Sequence, residues 1–283
     1  MVNGKIETPE RASVSVFDRG FLYGDSVFEA LRTYAGRPCA LDRHMARLER
    51  SAARVFIELP LPVSEFAAEI SATVAAAKNP ESNIRIMLTR GIGERLGLDP
   101  ALGRSPSRFV IVTELVPLAP ELYAQGVSVI TYRTQRVADA TAAAGAKIAN
   151  YLTAVLAMHD ARDKGAHEAL IVDAHGYVVE GATSNVFAVK NGALVTPPES
   201  AGILLGITRG FVIEAARDLG LEVTEVPLTP AQLLSADEAF ISSSIREVVP
   251  VVRVDSEVIG SGRPGPLTLE LLRRYREKII NSA

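Results

Sequence analysis

The apolar positions of the first third fall into helical and then strand-like spacing. Met45, Leu48, Ala52 and Val55 lie on one face of a helical turn pattern. With Asp42 as its cap, a helix is expected to about Ile57, where Pro60 and Pro62 break it. A second helix is expected from about Ser64 to Ala77. The stretches FEALRTY and RPCAL read as two strands joined by Ala35-Gly36, a hairpin signal, and the preceding DRG reads as a turn. NIRIMLT and RFVIVTEL read as further strands, separated by the glycine-rich RGIGERLGLDPALGRSPS. VPLAP, residues 116–120, carries two prolines close together and reads as a linker.

Beyond it strands dominate. VSVITYR, EALIV, YVVE, EAFISSS and VVPVVRV are strand-like, and NVFAVKNGALVTPP is a hairpin turning at Asn191-Gly192. Helices are expected over Asn150 to Lys164, closed by Gly165, over Thr208 to Leu219, closed by Gly220, and over 267–280. Strands and helices mix without regular alternation, so the expected fold is α+β in two domains. The expected division is a small domain over 1–115, the linker at 116–120, and a large domain over 121–283 that carries Lys147.

Composition narrows the function classes. The chain has 283 residues, 48% hydrophobic and 22% charged, with a formal net charge of -3. That balance suits a globular protein with a sizeable core and gives no basic footprint for nucleic acid or anionic membrane. The single cysteine, Cys39, allows no intrachain disulfide and fits a reducing, cytoplasmic setting. No signal-peptide pattern opens the chain, and no apolar run approaches a membrane span. The four histidines sit at no ligand spacing, so no metal site is expected. GIGERLG follows a strand, but its third glycine is one position late for a dinucleotide loop and no good helix follows it.

Three stretches carry candidate chemistry. In TAAAGAKIANY, six small residues, Thr141 to Ala146, precede Lys147. A lysine amine, with a free pKa of about 10.4, is mostly protonated and a poor nucleophile. Burial among small apolar residues favours its neutral form, which can condense with a carbonyl. In VVEGATSNVF, Glu180 ends an apolar strand and could hold a protonated ring nitrogen. In LLGITRG, Gly206, Ile207 and Thr208 run into a helix N-terminus, where free amide N–H groups suit a phosphate. Each has a plainer reading: a solvated lysine, a strand-end charge, an ordinary threonine cap. A nucleophilic lysine, an acid for a ring nitrogen and a phosphate cradle together describe a pyridoxal phosphate site.

Longer motifs give a resemblance. DRGFLYGDSVFEALRTY, HMARLERSA, TRGIGERLG, KIANYLTAVLA, EGATSNVFAVKNGALVTPP, GILLGITRGFVIEAA and DEAFISSSIREVVPV occur in the order found in class IV aminotransferases of fold type IV. The chain resembles that family over nearly its whole length. The resemblance implies two α/β domains, pyridoxal 5'-phosphate as cofactor, amino acid and 2-oxo acid substrates, and a dimer or larger assembly, with a homodimer expected. By position, Lys147 matches the Schiff-base lysine and proton shuttle, and Glu180 the acid on the pyridine nitrogen. Arg47, Ile207, Thr208 and Ser244 match phosphate contacts, Leu204 the apolar residue behind the ring, and Tyr151 a tyrosine near the ring's phenolic oxygen.

The substrate side departs from each subgroup. D-amino acid enzymes hold the α-carboxylate with an arginine and a histidine of the TRG loop and a first-domain tyrosine. Here Arg95 matches the arginine, but the other positions read Gly97 and Phe28. Branched-chain enzymes carry FEGxR and a strand arginine. Here FEALR keeps Phe28 and Arg32 with Ala30 in the glycine's place, and Arg85 matches the strand arginine. Aminodeoxychorismate lyases carry a threonine where this chain has Ala30. The resulting expectation is a D-amino acid transaminase, with some activity toward (R)-amines, whose carboxylate trap is built from among Arg32, Arg85 and Arg95 beside Phe28. The alternatives are a branched-chain L-amino acid transaminase and, further off, the lyase.

Overall fold

The computed structural model describes residues 1–103, 105–134 and 145–282, with side chains to residue 280. Thr141 to Ala144 and Arg104 of the glycine-rich loop lie outside the described residues. The chain divides into two compact units, one of Met1–Val116 with Ala146–Asn150, the other of Pro117–Gly145 with Tyr151–Asn281.

In the first unit, α1 (Arg19–Tyr23) precedes β1 (Ser26–Tyr34), β2 (Arg37–Pro38), α2 (Leu41–Arg54), α3 (Val63–Ala77), β3 (Ser82–Thr89) and β4 (Ser107–Glu114). The strands form an antiparallel sheet in the order β2-β1-β3-β4. Strand alternation decides its two faces. Val27 and Leu31 of β1 and Ile84, Ile86 and Leu88 of β3 join Met45, Leu48 and Ala52 of α2 and Phe66 and Ile70 of α3 in one core. Phe28, Ala30, Arg32 and Tyr34 alternate to the opposite face, with Ala30 opposite Arg85 of β3.

Two local expectations are corrected here. The DRG stretch is not a bare turn: Asp18 accepts from Gly20 N–H and caps the short α1. Asp42 does not cap α2, which starts one residue earlier. Its N-cap is Ala40 in the left-handed region, and Asp42 sits in the first turn, where a carboxylate complements the helix dipole.

The second unit runs α4 (Pro120–Gln125), β5 (Val127–Arg133), α5 (Leu152–Asp163), β6 (Glu168–Val172), β7 (Val178–Gly181), β8 (Asn185–Lys190), β9 (Ala193–Thr196), α6 (Ile207–Asp218), β10 (Val223–Glu225), α7 (Pro230–Leu234), β11 (Glu238–Ser243), β12 (Glu247–Val254), β13 (Glu257–Val258) and α8 (Pro266–Ser282). Its sheet has the order β10-β9-β8-β11-β12-β5-β6-β7, with β13 paired to β12. Val129, Leu170, Val186, Ile241 and Val249 fill one core, and Phe187 stacks on Phe240 at 4.8 Å. The architecture is α+β, as expected. Among the described residues no helix is long and apolar enough to cross a membrane.

The assignment of Lys147 to the large domain is also corrected. Strand β2 pairs only with Thr33 and Tyr34, leaving the other end of that edge of β1 open. The lysine segment occupies it. Phe28 N–H donates to the Lys147 carbonyl at 3.0 Å, Ala149 N–H to the Ser26 carbonyl at 3.1 Å, and Val27 bridges Ile148. Unmet backbone groups of a strand edge draw in the nearest extended segment, so Ala146–Asn150 groups with the first unit.

Candidate active site

The lysine is held by its backbone. Besides the Phe28 bond, Lys147 N–H donates to Ser51 Oγ of α2 at 3.1 Å. Its amine lies 4.6 Å from the centre of the Phe28 ring. The Arg85 guanidinium lies 4.2 Å from the centre of the same ring. Lys147, Phe28 and Arg85 therefore meet on one face of the sheet. Arg32, further along that face, lies over Tyr34 at 4.4 Å. Arg95 is exposed on the loop after β3 and is not part of this group.

Behind β1, on the α2 side, sits an acid outside the candidate site residues. Glu29 is fully buried. Arg47 Nε donates to its Oε1 at 2.7 Å and Arg47 Nη2 to its Oε2 at 2.6 Å. His44 Nδ1 lies 2.7 Å from the same Oε2. Burial pushes the Glu29 carboxyl up, but the Arg47 charge and the bonds from Arg47 and His44 outweigh it and hold the carboxyl at about 2. Burial pushes the His44 imidazole down against the pull of Glu29. The neutral ring donates its Nδ1–H, and Arg47 is fixed by a two-pronged ion pair.

The loop after β3 is held by a second arginine pair. Arg19 donates to the carbonyls of Gly97 and Leu98 at 2.8 and 3.2 Å, and Arg19 and Arg90 both bond Asp25. Gly91 has a φ of +88°, and a Cβ there would lie 1.7 Å from the Ser105 carbonyl oxygen. Gly91→Ala is expected to cost about 1–3 kcal/mol from the backbone angle alone, before the clash. A fall in the urea midpoint at unchanged slope checks it.

The second unit carries the remaining candidates around one residue, Leu204. Glu180 Oε2 accepts from Leu204 N–H at 3.0 Å, and Asn185 Nδ2 donates to the Leu204 carbonyl at 2.8 Å. Two residues on, Gly206 is the N-cap of α6 and supplies no side-chain cap. A Cβ on Gly206 would lie 2.1 Å from Asn185 Oδ1, so a glycine is what lets the chain pass here. Ile207 and Thr208 open the 12-residue helix, and Thr208 is 2% exposed. Ser244 lies in the turn between β11 and β12, and Tyr151 is half-buried at the N-cap of α5.

Sequence reasoning had Glu180, Leu204, Ile207 and Thr208, and the structure brings them together. It missed Asn185, whose signal was its place directly after the EGATS loop. A carboxylate, an apolar residue and an uncapped helix N-terminus on one unit fit the pyridine nitrogen, ring and phosphate of pyridoxal phosphate.

The residues from 26 to 254 match the model of the class IV amino-transferases. The chain belongs to the class IV aminotransferases. It is 40% identical to the "Putative branched-chain-amino-acid aminotransferase" of Methanocaldococcus jannaschii, over 98% of this chain and 94% of that protein. It is 34% identical to the D-alanine aminotransferase of Bacillus licheniformis, over 99% and 97%. Among solved structures, the T.th. branched-chain amino acid aminotransferase with pyridoxamine 5'-phosphate superposes with a TM-score of 0.92 at 33% identity, over 100% of this chain and 94% of that one. The chain is a fold type IV, pyridoxal phosphate-dependent aminotransferase. That much of the expectation holds; the relatives divide on substrate.

Proposed function

We propose that the chain transfers the amino group of D-amino acids to 2-oxo acids such as pyruvate or 2-oxoglutarate, with an arginine-based carboxylate trap. The carrying observation is the Arg85–Phe28–Lys147 group. When bound, pyridoxal phosphate supplies a carbonyl for the amine and a ring that accepts the electron pair left at the substrate α-carbon. Lys147 Nζ takes the proton from that carbon and returns one on the other side of the exchange. Glu180 holds a proton at the ring nitrogen, with its carboxylate aimed by Leu204 N–H. In the second unit the first amides of α6, Thr208 and Ser244 are assigned to the phosphate; in the first, Arg47, kept in place by Glu29, matches a phosphate contact of the family. Tyr151 hydrogen-bonds the ring's phenolic oxygen. Phe28 in the first unit and Leu204 in the second are the apolar residues assigned to substrate and ring, and their apolar character also suits (R)-amines that lack a carboxylate.

Arg85 grips the substrate carboxylate. It reaches the ring on which the Lys147 amine rests, and its planar fork suits two carboxylate oxygens. Arg32, on the same face of the sheet, is a secondary member of the trap; Arg95, exposed on the loop after β3, stays only a candidate for it. The protein works as a homodimer in the cytoplasm.

A branched-chain L-amino acid transaminase is the second reading, favoured by the archaeal relative and by Phe28, Arg32 and Arg85 at that subgroup's positions. Half-reactions separate the two. D-alanine, D-glutamate, L-leucine and (R)-1-phenylethylamine are added singly, and the visible band of the lysine-bound cofactor is followed. Fast bleaching by the D-amino acids and not by L-leucine is expected; the reverse order sinks the D-amino acid proposal. Arg85→Ala is expected to raise the KM for D-glutamate about 30-fold, the loss of a charged hydrogen-bonding pair worth about 2 kcal/mol. An unchanged KM in Arg32→Ala, Arg85→Ala and Arg95→Ala alike would remove the trap.

A further inference from the structure

Glu168 of β6 is fully buried, yet it lies outside the set of residues assigned to cofactor or substrate. Its Oε1 accepts from Thr183 N–H at 2.6 Å and from Thr183 Oγ1 at 3.0 Å. Its Oε2 lies 2.6 Å from Arg246 Nη2. The same Nη2 donates to Thr183 Oγ1 at 2.7 Å. Arg246 Nη1 lies 3.2 Å from His167 Nε2, and burial and the Arg246 charge hold that imidazole neutral, so it accepts. At its own end Arg246 donates from N and Nε to Ser243 Oγ at 3.3 and 3.4 Å, and its carbonyl accepts from Tyr123 Oη at 3.0 Å.

These bonds join three pieces of chain. One is β6. The second is the loop 182–184, with Glu180 just before it and Asn185 just after it. The third is the β11–β12 turn, which carries Ser244. We propose that Arg246 is a positioning residue of the cofactor site, acting through Glu168 and Thr183 on the loop that aims Glu180 and Asn185, and through Ser243 on the turn that presents Ser244.

The coupling path is short. Glu180 and Asn185 clamp the two backbone groups of Leu204, and Asn185 lies against Gly206 at the start of α6. A shift of Thr183 therefore reaches both the ring-nitrogen acid and the phosphate amides. The loop has little slack to absorb one. A Cβ on Gly181 would lie 2.2 Å from Ser184 Oγ and 2.8 Å from Glu168 Oε1. The arginine fork matters here, because one guanidinium spans a carboxylate, a hydroxyl and an imidazole at once.

The inference rests on the assignment of Glu180, Thr208 and Ser244 to the cofactor, and the test separates the two. The apoprotein of Arg246→Met is titrated with pyridoxal phosphate, and the dissociation constant is read together with the phosphorus-31 shift of the bound phosphate and the pH profile of the visible band. A rise of at least about ten-fold in the dissociation constant, with a moved phosphorus shift, is expected. Arg246→Met leaves a buried carboxylate without its counter-charge and lowers stability, so Glu168→Gln/Arg246→Met is measured alongside. That double variant is expected to recover the thermal midpoint of the apoprotein and still bind the cofactor several-fold more weakly than the parent.

Thr208→Ala and Glu180→Gln are the reference variants. If both bind the cofactor as the parent does, the assignment of the site fails. If they bind weakly and both Arg246 variants keep the parent's dissociation constant and phosphorus shift, the assignment stands and the role of Arg246 is overturned.

Discussion

Lys147→Ala is expected to lower the transamination rate by at least about 10³-fold and to leave the protein folded. Proton transfer by a placed side chain contributes about 10²–10⁴-fold by itself. The alanine variant also loses the amine proposed to hold the cofactor covalently, so the upper part of that range applies. Folding survives because the anchors of this segment are backbone atoms. Phe28 N–H still reaches the carbonyl of residue 147, and the amide of residue 147 still reaches Ser51. What the fold loses is a cation at 4.6 Å from the Phe28 ring, an interaction of about 0.5–1 kcal/mol on a half-buried chain. Single-turnover kinetics with D-alanine, set beside thermal melts, checks both halves. Lys147→Arg sharpens the test: it restores the cation over the ring without a usable amine, so stability should return and rate should not. Partial recovery of rate in Lys147→Ala by added methylamine is the further expected sign. A variant within about ten-fold of the parent rate would take the proton shuttle away from this residue.

The features to which the second unit's chemistry is assigned stand out in the sequence because they are local. Glu180 and its glycine, and Gly206-Ile207-Thr208 before a helical period, are signals a few residues long, set by turn and helix-end physics. The hairpins at Ala35-Gly36 and Asn191-Gly192 were legible for the same reason: all four residues have positive φ. The strand neighbours β8-β11 and β12-β5 were not, because they join segments far apart in the chain and no local pattern encodes them. The placement of Lys147 failed likewise. Nothing within 146–150 says that a strand edge much earlier in the chain is open.

Two kinds of side chain escaped for a different reason. Glu29 sits at an inward position of a strand whose inward neighbours are Val27 and Leu31. From sequence it reads as a lapse in alternation, since its partners come from a helix later in the chain. Arg246 follows ISSSI with no periodic signal, and its meaning appears only when β6 and the 182–184 loop are brought to it.

Glu29→Gln, for that reason, should do more damage than its small change in shape suggests. The substitution leaves the Arg47 guanidinium buried, at 5% exposure, without its counter-charge. Breaking one partner of a buried ion pair costs about 3–5 kcal/mol, so a large fall in thermal midpoint is expected. The pH dependence identifies the source. The Glu29 carboxyl is held at about 2 in the folded protein, below its ordinary value of 4.5. A group with a depressed folded value contributes stability that is fully present above its unfolded value and lost as pH falls through the folded one. The contribution of Glu29 should therefore be constant above about pH 5 and disappear between about pH 4.5 and 2. Parent and Glu29→Gln stability curves should run parallel at neutral pH and converge in that acid window. A gap that persists unchanged to about pH 2 would mean the glutamine acts through packing alone. On the proposed phosphate role of Arg47, the same variant should weaken cofactor binding at neutral pH, because Glu29, itself bonded by His44, is what keeps Arg47 in one orientation. Glu29→Asp separates the two effects: it keeps the counter-charge on a shorter arm, so much of the stability should return while a displaced Arg47 still binds phosphate poorly.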